Sequence, residues 1–332
     1  MLHNNIGRND VAMRESAAPA YPIADFHCDV LWKLLKHEEL SFDDRAESRM
    51  DVTPGRLQAS QAILQTFAVY VSPRMTSQAA IWKSVDLFYE QVLSNPKMHL
   101  IRTSADIDQA IRNGKTGALL SLEGVDGLYG DFTMLRLLFH LGLRAVGLTW
   151  NHANWAADGV QEPRAGGLTA RGGQFVDECE RLGIILDVSH LSERGFWELA
   201  DRVKRPFIAS HSNAKSLCSH ARNLTDDQIK ALIAIDGRIG ITYVPYFVKD
   251  DGNATITDVL RHIEHVAALG GTKQLMLGSD FDGIDQYVQS LRHPADVPKL
   301  VEAMLKVFPE QVVIDITSGN ALRFLKEQLS TS

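Results

Sequence analysis

Apolar segments that alternate with helix-like segments are the feature that most limits the fold of this 332-residue chain. Amphipathic patterns such as DFTMLRLLFHLG and LSERGFWELADRVK separate most of the apolar segments. Strands that alternate with helices form parallel βαβ units, and eight such units predict a closed (β/α)8 barrel, the TIM barrel. The eight candidate strands are PIADFHCDV, QAILQTFAVYV, GALLSLEG, LRAVGLTW, GIILDVSH, PFIASHS, RIGITYVPYF and QLMLGSDF.

The composition is that of an ordinary globular protein. Apolar residues make up 45% of the chain and charged residues 23%, with a net charge of −7. Basic residues are neither in excess nor clustered, so no nucleic-acid partner is expected. We predict a flexible arm over residues 1–20 and a single barrel domain over residues 21–332.

The cysteines and the chain ends indicate a cytoplasmic protein with reduced thiols. Cys28, Cys179 and Cys218 are too few and too scattered for a disulfide framework. The first twenty residues contain no apolar leader, and no apolar segment reaches the ~18 residues of a membrane span. The polar ending LKEQLSTS also argues against a membrane anchor.

Acidic residues and histidines cluster at the predicted C-terminal ends of the strands. This end of a (β/α)8 barrel is where catalytic groups are found. Because side chains two residues apart on a strand share a face, the imidazole and the carboxylate of the first strand leave the backbone side by side. The residues in this position are His27, Asp29, Glu123, His190, His211 and Asp280.

These side chains are suited to binding zinc, which takes imidazole nitrogen and carboxylate oxygen. His27 and Asp29 can supply one pair of ligands, His190 and His211 another, and Glu123 can place one oxygen on each of two metals. Each residue also has a structural alternative: a hydrogen-bonded histidine at a strand end, a helix-capping glutamate or an aspartate in a turn. Their shared position at one rim favours the site.

The remaining histidines and Cys28 are interpreted as structural. Cys28 lies between two candidate ligands but on the opposite face of the strand, which favours packing. The histidines assigned to the surface or to packing are His3, His37, His99, His140, His220, His262, His265 and His293.

Six segments, taken together and in order, resemble the membrane (renal) dipeptidase family, a branch of the amidohydrolase superfamily. The resemblance runs from about residue 23 to about residue 326. The segments are DFHCD, SLEG, GLRAVGLTWNHANWAADG, LDVSH, SHS followed by ARNLTDDQI, and GSDFDG. The resemblance implies a zinc-dependent dipeptidase that uses a metal-bridging hydroxide.

The resemblance also implies a role for each residue of the site. It assigns His27 and Asp29 to one zinc, His190 and His211 to a second, and Glu123 to a bridge between them, giving two zinc ions per chain. It assigns His152 to the substrate carbonyl and the developing oxyanion, and Asp280 to proton transfer. Arg222 is implied to bind the substrate carboxylate, and Tyr246, in the less closely matching YVPYF, to contact substrate.

The expected substrate is a dipeptide with a free C-terminal carboxylate, with tolerance of a D residue on the C-terminal side. A related amidohydrolase that acts on N-acyl amino acids or β-lactams is an alternative, because loops build the substrate pocket. A barrel that has lost catalysis and serves as a binding protein is a second alternative, which the complete set of five ligands disfavours. The resemblance also raises a homodimer as a possible assembly.

Overall fold

A ring of parallel strands forms the centre of the molecule in the computed structural model, which describes residues 21–45, 49–72, 75 and 77–330. The predicted arm, residues 1–20, lies outside the described residues, and the division into one arm and one domain stays a prediction. These described residues contain nine strands: β1 (Ile23–Cys28), β2 (Ala62–Tyr70), β3 (Met98–Leu100), β4 (Thr116–Glu123), β5 (Leu143–Gly147), β6 (Ile185–Asp187), β7 (Ile208–Ala209), β8 (Arg238–Ile241) and β9 (Leu275–Leu277).

Eight of these strands close the barrel, and the predicted fold class is confirmed. Strand β1 pairs with β2 on one side and with β9 on the other, and β2 pairs with β4. From β4 the ring continues in chain order to β9, and every pairing is parallel. The short strand β3 was not predicted; it pairs only with the first residues of β4, outside the ring.

Helices connect consecutive strands and cover the barrel, as the alternating pattern predicted. Several begin at a threonine that caps the helix, with a capping box at Thr103, Thr225 and Thr255. The helices are α1 (Val30–Lys36), α2 (Pro54–Ala59), α3 (Gln78–Leu87), α4 (Ser104–Arg112), α5 (Phe132–His140), α6 (Ala170–Leu182), α7 (Glu193–Arg202), α8 (Asp226–Ala234), α9 (Pro245–Val248), α10 (Ile256–Ala268), α11 (Val297–Met304), α12 (Glu310–Ile314) and α13 (Asn320–Gln328).

Two apolar clusters hold the barrel together. The larger one packs the outer faces of the strands against the helices and includes Cys28, which confirms its packing role. The second includes Leu64, Leu119 and Met276 and is joined by residues of α4 and α13. Leu119 and Glu123 lie four residues apart on β4 and therefore share a face. The second cluster thus fills the barrel interior below Glu123.

The three cysteines are free and buried, as expected of thiols that form no disulfide framework. Among the described residues, no helix combines the length and the apolarity needed to cross a bilayer.

Close packing of the segments that follow β7 and β9 positions His211 at the top of the barrel. A Cβ atom at Gly278 would overlap the carbonyl oxygen of Ser210 and lie 3.2 Å from the Cα of His211. The absence of a side chain on Gly278 therefore lets the segment after β9 approach the backbone that carries His211.

We expect Gly278→Ala to lower the free energy of unfolding by about 1–3 kcal/mol, the usual cost of overpacking. Urea denaturation measures this change. Gly147→Ala is the matched control, because Gly147 lies on a barrel strand and the nearest atom to its added Cβ is 3.7 Å away. Equal stability losses in the two variants would contradict this account of the packing.

Candidate active site

The predicted metal-binding side chains meet at the C-terminal mouth of the barrel. His27 lies near the end of β1 and Glu123 is the last residue of β4, whereas His190 and His211 follow β6 and β7 by a few residues. Glu123 is central: its Oε1 lies 2.8 Å from Nε2 of His190, 3.4 Å from Nε2 of His211 and 3.7 Å from Nε2 of His27. The structure therefore brings together residues from four different strands.

A second group of side chains surrounds His27. Its Nε2 lies 3.4 Å from Oδ2 of Asp29 and 3.7 Å from Oδ1 of Asp280. Ligand atoms of His27, Asp29 and Asp280 lie within 4.8 Å of one another, as do those of His27, Glu123 and His211. Asp280, to which the resemblance assigns proton transfer, is thus also close enough to be a metal ligand.

Hydrogen bonds to the Nδ1 atoms orient the imidazoles of His190 and His211, so that the lone pairs of their Nε2 atoms face Glu123. Nδ1 of His190 lies 2.8 Å from Oδ1 of Asn151, an oxygen that can only accept, so Nδ1 carries the hydrogen. Nδ1 of His211 lies 2.8 Å from Oγ of Ser210, whose hydroxyl donates to Asp187. The two Nε2 atoms, 3.0 Å apart, therefore both present lone pairs to the centre of the site.

The electrostatics of the site favour a bound cation. Burial, reinforced by the charge of Arg222, lowers the pKa of His190 to about 3, so the imidazole is neutral and able to bind metal. Burial opposes protonation of His27, yet Glu123, Asp29 and Asp280 raise its pKa to about 10. Nε2 of His27 and Oδ1 of Asp29 are buried without a hydrogen-bond partner among the described residues. This set of donors fits metal ions.

The loop after β9 holds Asp280 against the site. Asp280 and Asp282 have φ angles of 67° and 68°, a left-handed conformation that aspartate tolerates better than most residues. A Cβ atom at Gly283 would overlap Oδ2 of Asp29 and lie 2.8 Å from Oδ1 of Asp280. Only glycine at this position allows the two carboxylates to approach so closely.

A buried network anchors this loop to the rest of the barrel. Oδ1 of Asp282 accepts hydrogen bonds from Nζ of Lys33 at 2.9 Å and from the backbone N–H of Asp51 at 2.7 Å. Its Oδ2 accepts from the backbone N–H of Val52, and Oδ2 of Asp51 accepts from the N–H of Asp282, both at 2.9 Å. The network fixes the backbone that carries Asp280.

A cavity of about 370 Å³ opens above the candidate metal ligands. Asp29, Glu123, His190 and Asp280 are among its lining residues, so the candidate ligands are open to a substrate. Tyr246, on α9, is 44% exposed and also lines this cavity, as expected of a residue that contacts substrate. The other aromatic residues of the lining were not predicted from the sequence; they are Trp32, Tyr70, Trp150 and Phe247.

Two residues with expected substrate roles lie outside this lining. His152 follows Asn151 directly, but its side chain is exposed to solvent. Arg222 is buried and lines a smaller cavity of about 190 Å³. Its Nη2 donates to the carbonyl oxygen of His211 at 3.2 Å, and its Nε has no hydrogen-bond partner among the described residues. Burial lowers the pKa of Arg222 to about 10, so the guanidinium remains charged at neutral pH.

Sequence reasoning missed the residues that support the ligands, above all Asn151. Its position in the sequence could have indicated this role, because Asn151 lies in WNHAN, directly after a predicted strand and next to His152. Asp187 ends β6 and could have been found in the same way, as a carboxylate at a strand end.

A closed (β/α)8 barrel with imidazoles and carboxylates gathered at its mouth is the arrangement of a metal-dependent hydrolase. The sequence profile of the membrane dipeptidase family (peptidase family M19) matches residues 14–332. The chain therefore belongs to this family, which confirms the resemblance found in the sequence. It is a metal-dependent dipeptidase of that family.

Individual relatives agree with this assignment. A dipeptidase of Claviceps purpurea, tcpJ, is 30% identical over 323 residues, which cover 91% of this chain and 76% of the relative. An uncharacterised protein from the pqqA 5′ region of Klebsiella pneumoniae is 31% identical over 74% of this chain and 95% of its own length. A metallopeptidase of Rhodobacter sphaeroides, solved with a phosphinate mimic of L-Ala-D-Ala, has a TM-score of 0.86 and 25% identity, covering 93% of this chain and all of its own.

We expect Asn151→Leu to weaken metal binding by about 10–100-fold, because His190 would lose the acceptor that fixes its tautomer. Competition with a chelator measures the affinity, and circular dichroism checks the fold. Asn113→Leu, at the exposed end of α4, is the control and should leave the affinity unchanged. Wild-type affinity in a folded Asn151→Leu protein would refute this supporting role.

Proposed function

We propose that this protein is a dinuclear zinc dipeptidase. Its substrates are dipeptides with a free C-terminal carboxylate, and it tolerates a D residue on the C-terminal side. The observation that carries the proposal is the convergence of three imidazoles on the carboxylate of Glu123 at the mouth of the barrel. Membership of the membrane dipeptidase family supports the same reaction.

The proposed metal ligands divide into two pairs with one shared residue. His27 and Asp29 would hold one zinc, His190 and His211 the other, and Glu123 would contribute one oxygen to each. Nitrogen and oxygen donors of this kind are typical of zinc. Two zinc ions would supply a water that reacts at neutral pH and an electrophile for the peptide carbonyl.

The other residues of the site would bind the substrate and move protons. Asp280 would accept a proton from the attacking water and deliver it to the leaving amine. We propose His152, whose side chain is exposed to solvent, as the donor to the carbonyl oxygen of the substrate, and Tyr246, which lines the cavity, as a contact to the bound peptide. The donor His152 would stabilise the negative charge that develops on this oxygen as the peptide bond breaks.

Arg222 is proposed to bind the carboxylate of the substrate. Its guanidinium is buried and charged, and its Nε has no hydrogen-bond partner within the part of the chain that the structure describes. A planar guanidinium can bind both oxygens of a carboxylate. Recognition through the carboxylate depends little on the configuration of the C-terminal residue. The L-Ala-D-Ala mimic bound to the Rhodobacter sphaeroides relative supports this proposed tolerance. The cytoplasmic location and the homodimer stay predictions.

The first expected result concerns the metals. The purified protein should contain close to two zinc-like ions per chain, and prolonged chelation should abolish dipeptide hydrolysis, which added zinc should restore. Glu123→Gln should lower the occupancy of both sites because its carboxylate is the proposed bridge, whereas His190→Ala should mainly empty one. Elemental analysis of the purified variants measures the occupancy.

Two outcomes would count against this metal assignment. Full hydrolysis by the metal-free protein would exclude a metal-dependent reaction. Full occupancy of both sites in Glu123→Gln and in His190→Ala would exclude the proposed ligands.

The second expected result concerns the substrate carboxylate. Amidation of a dipeptide should lower kcat/KM by roughly a hundredfold, about 2.7 kcal/mol, because the buried guanidinium would lose its partner. Tripeptides and tetrapeptides should be poor substrates, since Arg222 is proposed to hold a carboxylate that lies one residue beyond the scissile carbonyl. Arg222→Met should remove most of the difference between free and amidated dipeptides. Steady-state kinetics on the matched pairs measures each effect.

Arg194→Met is the control for this experiment, because Arg194 is an exposed residue of α7 that pairs with Glu198. It should retain the full preference for a free carboxylate. Efficient cleavage of tetrapeptides, or equal rates for free and amidated dipeptides, would contradict the role of Arg222 and favour an amidohydrolase with another substrate.

A further inference from the structure

Three aromatic side chains form a continuous surface along one side of the mouth cavity. Trp32 belongs to α1, Tyr70 is the last residue of β2, and Trp150 follows β5. The ring centroids of Trp32 and Tyr70 are 5.2 Å apart, and those of Tyr70 and Trp150 are also 5.2 Å apart. We call these three side chains the aromatic wall.

The opposite side of the cavity has a different character. Around the barrel the strand order is β1, β2, β4, β5, β6, β7, β8, β9, which places β8 across the ring from β4 and therefore from the aromatic wall. Val244, Tyr246 and Phe247 follow β8 and line that opposite side. The guanidinium of Arg222 lies 5.3 Å from the ring centroid of Phe247. The buried cation is thus close to the β8 side of the cavity.

These positions fix the direction of a bound dipeptide. If Arg222 holds the carboxylate, the C-terminal residue lies on the β8 side, and the scissile carbonyl lies over Glu123 at the floor. The N-terminal residue must then project across the cavity towards β1, β2 and β5. Its side chain meets the aromatic wall.

We propose that the aromatic wall is the binding surface for the N-terminal side chain, and that the enzyme prefers dipeptides whose N-terminal residue is large and apolar, aromatic residues above all. This inference rests on the proposed function, because Arg222 sets the orientation. Aromatic rings bind other rings in edge-to-face or offset arrangements, in addition to the gain from burying apolar area.

The charges around the cavity favour the same side chains. Asp29, Glu123 and Asp280 lie at its floor, and Asp285 lies at its exposed rim. In the zinc-loaded enzyme the metals would neutralise the carboxylates of the floor, but Asp285 at the rim would still oppose the approach of an acidic side chain, since like charges repel. Burial, together with the charges of Glu123 and Asp29, raises the pKa of Tyr70, so its ring carries no charge at neutral pH.

The test compares two mirrored series of dipeptides on the zinc-loaded enzyme. In the first, the N-terminal residue changes from Ala to Phe (Phe-Ala against Ala-Ala); in the second, the C-terminal residue does (Ala-Phe against Ala-Ala). We expect kcat/KM for Phe-Ala to exceed that for Ala-Ala by about tenfold or more, which corresponds to about 1.4 kcal/mol. The second ratio should stay within about threefold of unity.

Substitutions in the aromatic wall test whether these side chains cause the preference for a large N-terminal residue. Trp32→Leu and Trp150→Leu should each lower the Phe-Ala to Ala-Ala ratio by about fivefold, mainly through KM, and leave the Ala-Phe to Ala-Ala ratio unchanged. Trp197→Leu is the matched control, because Trp197 lies on α7 and packs edge-on against Phe196 instead of lining the cavity. It should change neither ratio.

The outcomes separate this inference from the proposed function. Hydrolysis of Phe-Ala and Ala-Ala at equal rates by the wild-type enzyme would overturn the inference and leave the dipeptidase intact, and this comparison needs no variant. A loss confined to the Ala-Phe series in the tryptophan variants would also overturn it, because the wall would then bind the C-terminal residue. No hydrolysis of any of the three dipeptides would overturn the proposed function itself.

Discussion

The buried carboxylate of Glu123 is the point on which the site depends. A carboxylate in a barrel interior is costly unless positive charge or hydrogen-bond donors compensate it. Here imidazoles from β1, β6 and β7 approach the same oxygen, and two of them present lone pairs instead of hydrogens. Such an arrangement is stable with a cation at its centre, which explains why so many polar groups occupy the end of an otherwise apolar barrel.

The surrounding residues hold these imidazoles and carboxylates close together, although their lone pairs and like charges repel one another. Asn151 and Ser210 orient two of the imidazoles, and Asp187 supports Ser210. On the other side of the site, Asp282 ties the loop after β9 to residues 51–52, which keeps Asp280 beside Asp29. Asn151 follows β5 whereas His190 follows β6, and Asp187 ends β6 whereas Ser210 follows β7, so the geometry depends on the pairing of neighbouring strands of the barrel.

The two sides of the barrel mouth differ in chemistry, and this difference would determine the orientation of a bound dipeptide. A buried guanidinium lies behind the segment after β8, while aromatic side chains cover the opposite side above β1, β2 and β5. In the proposed binding mode, Arg222 would hold the carboxylate of a dipeptide and the N-terminal residue would lie on the side of the aromatic wall. Loops at the ends of the strands set this arrangement, in agreement with the general division between a barrel that supplies stability and loops that supply specificity.

The sequence alone determined the barrel and the residues that meet at its mouth. Strand periodicity and alternation with helices are local properties, so all eight barrel strands could be predicted, and His27, Glu123 and His211 could be placed at strand ends. Only the tertiary structure decided the contacts between different elements, such as those of Asn151 with His190 and of Asp280 with His27. It also decided the pairing of the short strand β3, the exposure of His152 and the second cavity beside Arg222. These features depend on loop conformations and on contacts between residues far apart in the chain, which no local pattern of residues specifies.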